Sequence, residues 1–135
     1  GVPVRLELGP RDIENGQVTF VRRDTLEKGQ LPLEGIGQQV KDMLEEVGRT
    51  LYSQAKAFRD QHTYVAHDMQ ELTQGVQTGF VKAAWCGERA CEDHIKETTN
   101  ATSRNMPFDQ SDCPSPVCVC CGKPAKYTMY FAKAY

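Results

Sequence analysis

The first half of this chain is without cysteine: none occurs before Cys86. Neither a disulfide framework nor a thiolate metal cluster can therefore stabilise that half, which must fold on apolar burial. Long apolar runs are also missing. The longest, such as Val18-Thr19-Phe20-Val21, are far too short to cross a bilayer, so no membrane contact is expected. The chain does not begin with Met, and no charged stretch followed by an apolar one opens it at Gly1, so no secretory leader and a cytoplasmic location are expected. Charge of one sign is lacking as well. The net charge is -2, from 16 basic and 18 acidic residues, and no segment is strongly basic. Bulk electrostatic attraction to nucleic acid is thereby excluded, and any RNA contact has to rest on a few placed side chains. What remains is an ordinary folded composition, 39% hydrophobic and 25% charged.

Val2, Val4, Leu6 and Leu8 alternate with Arg5 and Glu7, the pattern of a half-buried strand. Gly9-Pro10-Arg11-Asp12 reads as a turn. Gln17 to Arg22 reads as a second strand, with Val18, Phe20 and Arg22 on one side, and the two strands suggest a hairpin. Arg22 and Arg23 alternate faces, so at most one of them meets a phosphate. From Pro32 the period lengthens. Ile36, Val40, Met43, Leu44, Val47, Leu51, Ala55 and Phe58 predict a long amphipathic helix to about Asp60, with Pro32 in its first turn. Asp68 and Glu71 form a capping pattern for a short helix carrying Met69, Leu72 and Val76. Phe80–Trp85 reads as a strand leading into Cys86, and Cys91–Thr99 as a helix. Residues 100–117 read mostly as loop, with a short strand expected near Arg104–Phe108. Lys126–Ala132 reads as a closing strand.

All six cysteines fall after Trp85: Cys86, Cys91, Cys113, Cys118, Cys120 and Cys121. Without a secretory signal, clustered cysteines point to a metal more than to disulfides. Cys86-Gly-Glu-Arg-Ala-Cys91 offers one pair. Cys118-Val-Cys-Cys121-Gly122 offers a second, either as C-x-C or as C-x2-C. A glycine directly after the second ligand lets the backbone turn its N–H groups toward sulfur, which favours Cys118 with Cys121 over Cys120. Cys113 with Cys118, and His94 three residues after Cys91, are the rival pairings. Four thiolates close the shell of a Zn2+ ion, leaving no open position for water, so the site is expected to be structural.

Several stretches, in collinear order over essentially the whole chain, resemble the C-terminal part of prolyl-tRNA synthetases that carry an extra zinc domain. They are Gly1–Asp12, Gln17–Asp24, Cys86-Gly-Glu-Arg-Ala-Cys-Glu92, Lys96–Thr102, Cys118-Val-Cys-Cys-Gly-Lys-Pro124 and Phe131-Ala-Lys-Ala-Tyr135. The resemblance implies an α/β protein. Residues 1–62 would close a class II anticodon-binding domain, a mixed sheet with helices, and residues 63–135 would form a small α/β zinc domain. It implies Cys86, Cys91, Cys118 and Cys121 as zinc ligands, with C-x-C in some relatives pointing instead to Cys120. Arg5, Asp12 and Lys28 would read the proline anticodon, whose second and third bases are guanine. Tyr135 would dock toward the catalytic domain. The implied reaction joins proline to tRNA(Pro) with ATP and Mg2+, in a homodimer formed through a catalytic domain whose motifs are not among these residues. The near-neutral zinc domain is expected to brace the enzyme. A free-standing zinc adaptor for RNA or protein is the alternative, and an extracellular disulfide-stapled module a more distant one.

Overall fold

The computed structural model describes residues 1–134; Tyr135, expected to dock at a catalytic domain, lies outside the described residues. The chain forms two compact units, Gly1–Ala57 and a second beginning at Phe58.

The first unit holds β1 (Val4–Glu7), α1 (Pro10–Glu14), β2 (Gln17–Arg22), β3 (Lys28–Pro32) and most of α2 (Ile36–Gln61). Its sheet is antiparallel in the order β1-β2-β3. Alternation along β2 buries Val18, Phe20 and Arg22 on one face, as the pattern predicts. Gly9–Asp12 is not a bare turn: Pro10 opens a short helix, suited by its fixed φ to that position. The segment Lys28–Pro32, whose Pro32 was expected in the first turn of the long helix, is an edge strand. Gly29 is required there because a Cβ would lie 2.7 Å from the Phe20 ring. Pro32 therefore ends a strand, where an edge position tolerates its missing N–H. Helix α2 starts four residues later, after Gly35 turns the chain with φ 70°. Gln39 Nε2 donates to the carbonyls of Pro32 and Glu34 across that entry.

Arg22 is the polar centre of this unit. Its side chain is 6% exposed and donates two bonds of 3.1 and 2.7 Å to the Asp24 carboxylate, a side chain fully buried in a half-buried residue. Glu46 of α2 lies 3.1 Å away and Glu27 3.8 Å. The helix is thus tied to the sheet by an ion pair beside buried Val47. Arg22 is accordingly committed to the fold and unavailable to a phosphate, whereas Arg23 is exposed. Several apolar side chains of this unit are uncovered within it: Leu6 on β1, Leu8 after it, Ile13 on α1, and Leu44 and Leu51 on α2 are all exposed.

The second unit contains β4 (Thr63–Ala66), α3 (Met69–Gly75), β5 (Phe80–Trp85), α4 (Arg89–Thr99), β6 (Ala101–Asn105) and β7 (Tyr127–Lys133). The sheet order is β4-β5-β7-β6, with β4 and β5 parallel and the rest antiparallel. Strand β4, unassigned from sequence, follows α2 without a glycine or proline break. Asp68 caps α3 by accepting the Glu71 N–H at 2.8 Å, while Glu71 reaches back to the His67 N–H. Asn100 ends α4 in the left-handed region at φ 59°, and β6 begins at once, ahead of the Arg104–Phe108 position expected from sequence. Leu72, Val81, Ile95 and Phe131 are completely buried in one core with Met129 and Val119. Truncating such a phenylalanine costs about 3–5 kcal/mol.

The Arg22 cage predicts acid sensitivity in the first unit. The Arg22 guanidinium, outweighing burial, holds the Asp24 carboxyl below its usual range. A carboxyl depressed in the folded state contributes stability above its unfolded pKa of about 4 and loses it as pH falls through the lower folded value. Denaturant titrations from pH 6 down to pH 2 should show that loss below about pH 4, and Asp24→Asn should start less stable and lose less.

Candidate metal centre and nucleic-acid interface

Strand β5 delivers Cys86 directly after Trp85, and Gly87 then turns the chain with φ 87° into α4, whose first turn carries Cys91. Opposite them, Val117 and Pro124 bridge to form a narrow knuckle. Within it the Cys118 N–H donates to the Lys123 carbonyl at 2.7 Å and the Gly122 N–H to the Cys118 carbonyl at 3.0 Å. Gly122 has φ 70°, the conformation expected of a glycine after the second ligand. The knuckle is fastened to the sheet where the Val119 N–H meets the Ala84 carbonyl and the Lys126 N–H meets the Trp85 carbonyl.

These segments gather the sulfurs of Cys86, Cys91, Cys118 and Cys121 within 4.8 Å of one another. Cys86 lies 3.6 Å from Cys91 and 3.8 Å from Cys121. Such separations are far beyond a disulfide bond of about 2.05 Å. Three of the four are buried, and Cys121 is exposed. Burial pushes the Cys86 and Cys91 thiols up. Burial also raises Cys118, but backbone N–H groups of Cys121, Cys120 and Cys86 outweigh it and bring that thiol down to about 7. Cys120 packs against the cluster without joining it. Cys113 is exposed and donates to the Ser115 carbonyl, and His94 is exposed on α4. Four convergent sulfurs are the donor set of a soft or borderline cation. Gly87, the counterpart of Gly122 on the first half-site, was not singled out from sequence; a glycine directly after a cysteine was its signal.

On the first unit the register sets Arg5 opposite Val21 and Val21 opposite Lys28. Arg5 and Lys28 therefore flank one β2 residue on the sheet face opposite the buried Arg22. Both are exposed, with side chains 67% and 63% accessible. Glu7 sits between them, 2.6 Å from Arg5 and 3.5 Å from Lys28. Asp12 is held by the start of α1, one carboxylate oxygen accepting the Gly9 N–H at 2.8 Å. No other contact among the described residues joins Asp12 to the Arg5–Lys28 row.

Residues 69–135 match the family model described as prolyl-tRNA synthetase, C-terminal, and residues 1–43 match the anticodon binding domain. Proline–tRNA ligase 2 of Bacillus cereus is 47% identical over 137 residues, which cover 100% of this chain and 29% of the ligase. The proline–tRNA ligase of Lachnoclostridium phytofermentans is 51% identical over 137 residues, and that of Clostridium botulinum 48%, each covering 100% of this chain and 28% of the relative. The chain belongs to the prolyl-tRNA synthetase family. It spans less than a third of the length of these relatives and corresponds to their C-terminal region. Within this prolyl-tRNA synthetase region, Arg5, Asp12 and Lys28 fall in the anticodon-binding match, and all six cysteines in the C-terminal match.

The positive φ at Gly122 carries a prediction about the cluster. The position is open, with nothing within 4 Å of an added Cβ, so only backbone strain opposes substitution. Gly122→Asn should retain bound metal, because Asn enters the left-handed region readily, whereas Gly122→Val should lose it. Metal-to-protein ratios after exhaustive dialysis against a weak chelator check the order; equal retention would show that the turn does not position Cys121.

Proposed function

We propose that this chain is the tRNA-recognising C-terminal part of a proline–tRNA ligase, in which the first unit engages the anticodon of tRNA(Pro) and the second is held together by zinc. The observation that carries the reading is the collinear match over 100% of the chain to proline–tRNA ligases. Proline activation with ATP and Mg2+, and dimerisation, are assigned to the catalytic domain of the parent enzyme in the cytoplasm. Nothing in the thiol cluster serves that chemistry.

The anticodon contacts follow from the charge arrangement. Guanine presents O6 and N7 acceptors, which suit Arg5 and Lys28, and N1 and N2 donors, which suit the Asp12 carboxylate. The bond from the Gly9 N–H keeps that carboxylate in place and leaves acceptor capacity for a base. Glu7 shares its charge between Arg5 and Lys28, both well exposed. Surface pairs of this kind contribute only about 0–1 kcal/mol, whereas a good base contact is worth about 1–3 kcal/mol. Glu7 therefore opposes a base contact only weakly.

Zinc fits the cluster. A Zn–S bond of about 2.3 Å in a tetrahedron sets sulfur atoms about 3.8 Å apart. The Cys86–Cys91 and Cys86–Cys121 separations of 3.6 and 3.8 Å already match that edge. Cys86, Cys91, Cys118 and Cys121 would hold the ion, which would supply positive charge to buried thiolates. With four sulfurs the shell is closed, so the role is structural.

Native mass spectrometry should find one zinc per chain, retained by Cys120→Ser and lost from Cys121→Ser. Loss only from Cys120→Ser would move the fourth ligand. Oxidised thiols with no metal would overturn the zinc assignment. In the full-length ligase, Arg5→Ala and Lys28→Ala should each weaken tRNA(Pro) binding about fivefold to 100-fold, the equivalent of about 1–3 kcal/mol. Replacing both anticodon guanines in wild-type complexes should give a comparable loss. Unchanged binding in both variants would remove this face from recognition.

A further inference from the structure

The end of the second sheet where β4 and β5 begin and β7 closes carries chemistry that neither the thiol cluster nor the anticodon face uses. Two cavities meet there. One, of about 530 Å³, is lined by Phe58, His62, Val76, Phe80, Arg104 and Lys133 among others. The other, of about 600 Å³, is lined by Thr63, Asn105 and Tyr130. Arg59 and Phe80 line both, so the two form one continuous groove.

Its charge departs from that of the chain. Acidic residues outnumber basic ones 18 to 16 overall, yet no carboxylate side chain lines the first cavity among the described residues, while Arg59, Arg104 and Lys133 do. In the second cavity the one carboxylate side chain among the described residues, Asp60, lies 2.6 Å from Arg59. Arg104 Nε donates to the Ala132 carbonyl at 3.2 Å, which fixes the guanidinium while engaging one of its five N–H groups. Lys133 is held across the groove by Gln77. Beside these cations stands an aromatic platform. Phe58 and His62 stack with ring centroids 4.0 Å apart and planes inclined by 26°. His62 Nδ1 is pinned by the Phe58 carbonyl at 2.7 Å, and Phe58 remains 64% exposed.

Positioned cations with an exposed stacked aromatic pair, in a groove longer than one pocket, are the elements that hold a nucleic-acid strand: phosphate on cation, base on ring. A basic partner is excluded by charge. A purely apolar one would leave Arg104 and Lys133 unmatched. We propose that this groove binds a segment of single-stranded RNA, with phosphates on Arg104 and Lys133 and a base on the Phe58–His62 stack. The second unit would then touch RNA as well as brace the protein, and this contact is separate from the Arg5–Lys28 face.

Fluorescence anisotropy with a labelled single-stranded RNA pentamer, on the whole chain with its metal, tests this. The charge-reversing pair Arg104→Glu with Lys133→Glu should weaken binding at least tenfold and flatten its salt dependence, and Phe58→Ala should weaken it about fivefold or more. All three side chains are exposed, and unchanged circular dichroism, together with retained binding in Arg104→Lys, separates loss of contact from loss of fold. A pentamer without guanine gives the Arg5–Lys28 face no base to read, so failure of the anticodon reading and failure of this one are distinguishable. The proposal is overturned by no measurable binding or by affinity within twofold of wild type in the charge-reversed variant. Equally tight binding of an acidic pentapeptide, or of a single nucleotide, would also overturn it.

Discussion

Four thiol groups drawn within 4.8 Å of one another are the constraint on which the second unit depends. As neutral thiols they attract one another weakly, and as thiolates they repel. Burial sharpens the conflict by pushing Cys86 and Cys91 away from ionisation. A cation at their centre would resolve it, since metal binding and deprotonation are one linked event. The segments involved explain why the link matters. Cys86 follows β5, Cys91 lies in the first turn of α4, and Cys118 and Cys121 belong to a knuckle hydrogen-bonded to Ala84 and Trp85. The cluster therefore pins one end of the sheet, while Leu72, Ile95 and Phe131 pin its middle. In a unit of this size a single apolar core leaves a small stability margin, to which such a staple would add.

The parts of the fold legible in sequence were those with a strong local rule. Strict alternation in Gln17–Arg22 marked β2 to the residue. Asp68 and Glu71 marked the start of α3, and Gly122 identified the geometry of the knuckle. Strand β3 was hidden because Lys-Gly-Gln-Leu-Pro has weak strand propensity and is held by pairing with β2, a long-range effect. Pro32 pointed the wrong way for the same reason: it suits a helix start and an edge strand equally. Strand β4 was hidden by running directly on from α2, and β6 by the polar residues that follow Asn100. The thiol cluster was legible because ligand spacing is local. The Arg5–Lys28 row was not, because it exists only once the register is known.

Register also separates two adjacent arginines. Arg22 points into the first unit, where Asp24 and Glu46 enclose it; Arg23 stays exposed. Breaking a buried pair strands a charge, so Arg22 and Asp24 stand or fall together. The same alternation places Arg5 and Lys28 on the opposite face, where their pairing with Glu7 is exposed and exchangeable. One sheet thus presents a locked ion pair on one face and a labile one on the other. The difference lies in solvent access, not in residue type.

That distinction bears on what net charge can say. A count of -2 suggests a surface indifferent to nucleic acid. Yet Asp24 and Glu46 are occupied by Arg22, Asp60 by Arg59, Asp112 by Lys82 and Asp93 by Arg89. Carboxylates so engaged are spent on those partners and do not reach cations elsewhere on the surface. Glu7 serves two cations with one charge, and no carboxylate side chain lines the cavity holding Arg104 and Lys133. At physiological ionic strength the Debye length is about 8 Å, so a phosphate responds to charges within one such length and not to the sum over the chain. The field at each surface is set by which acids the fold has placed nearby, and on that local measure both units present cations to solvent.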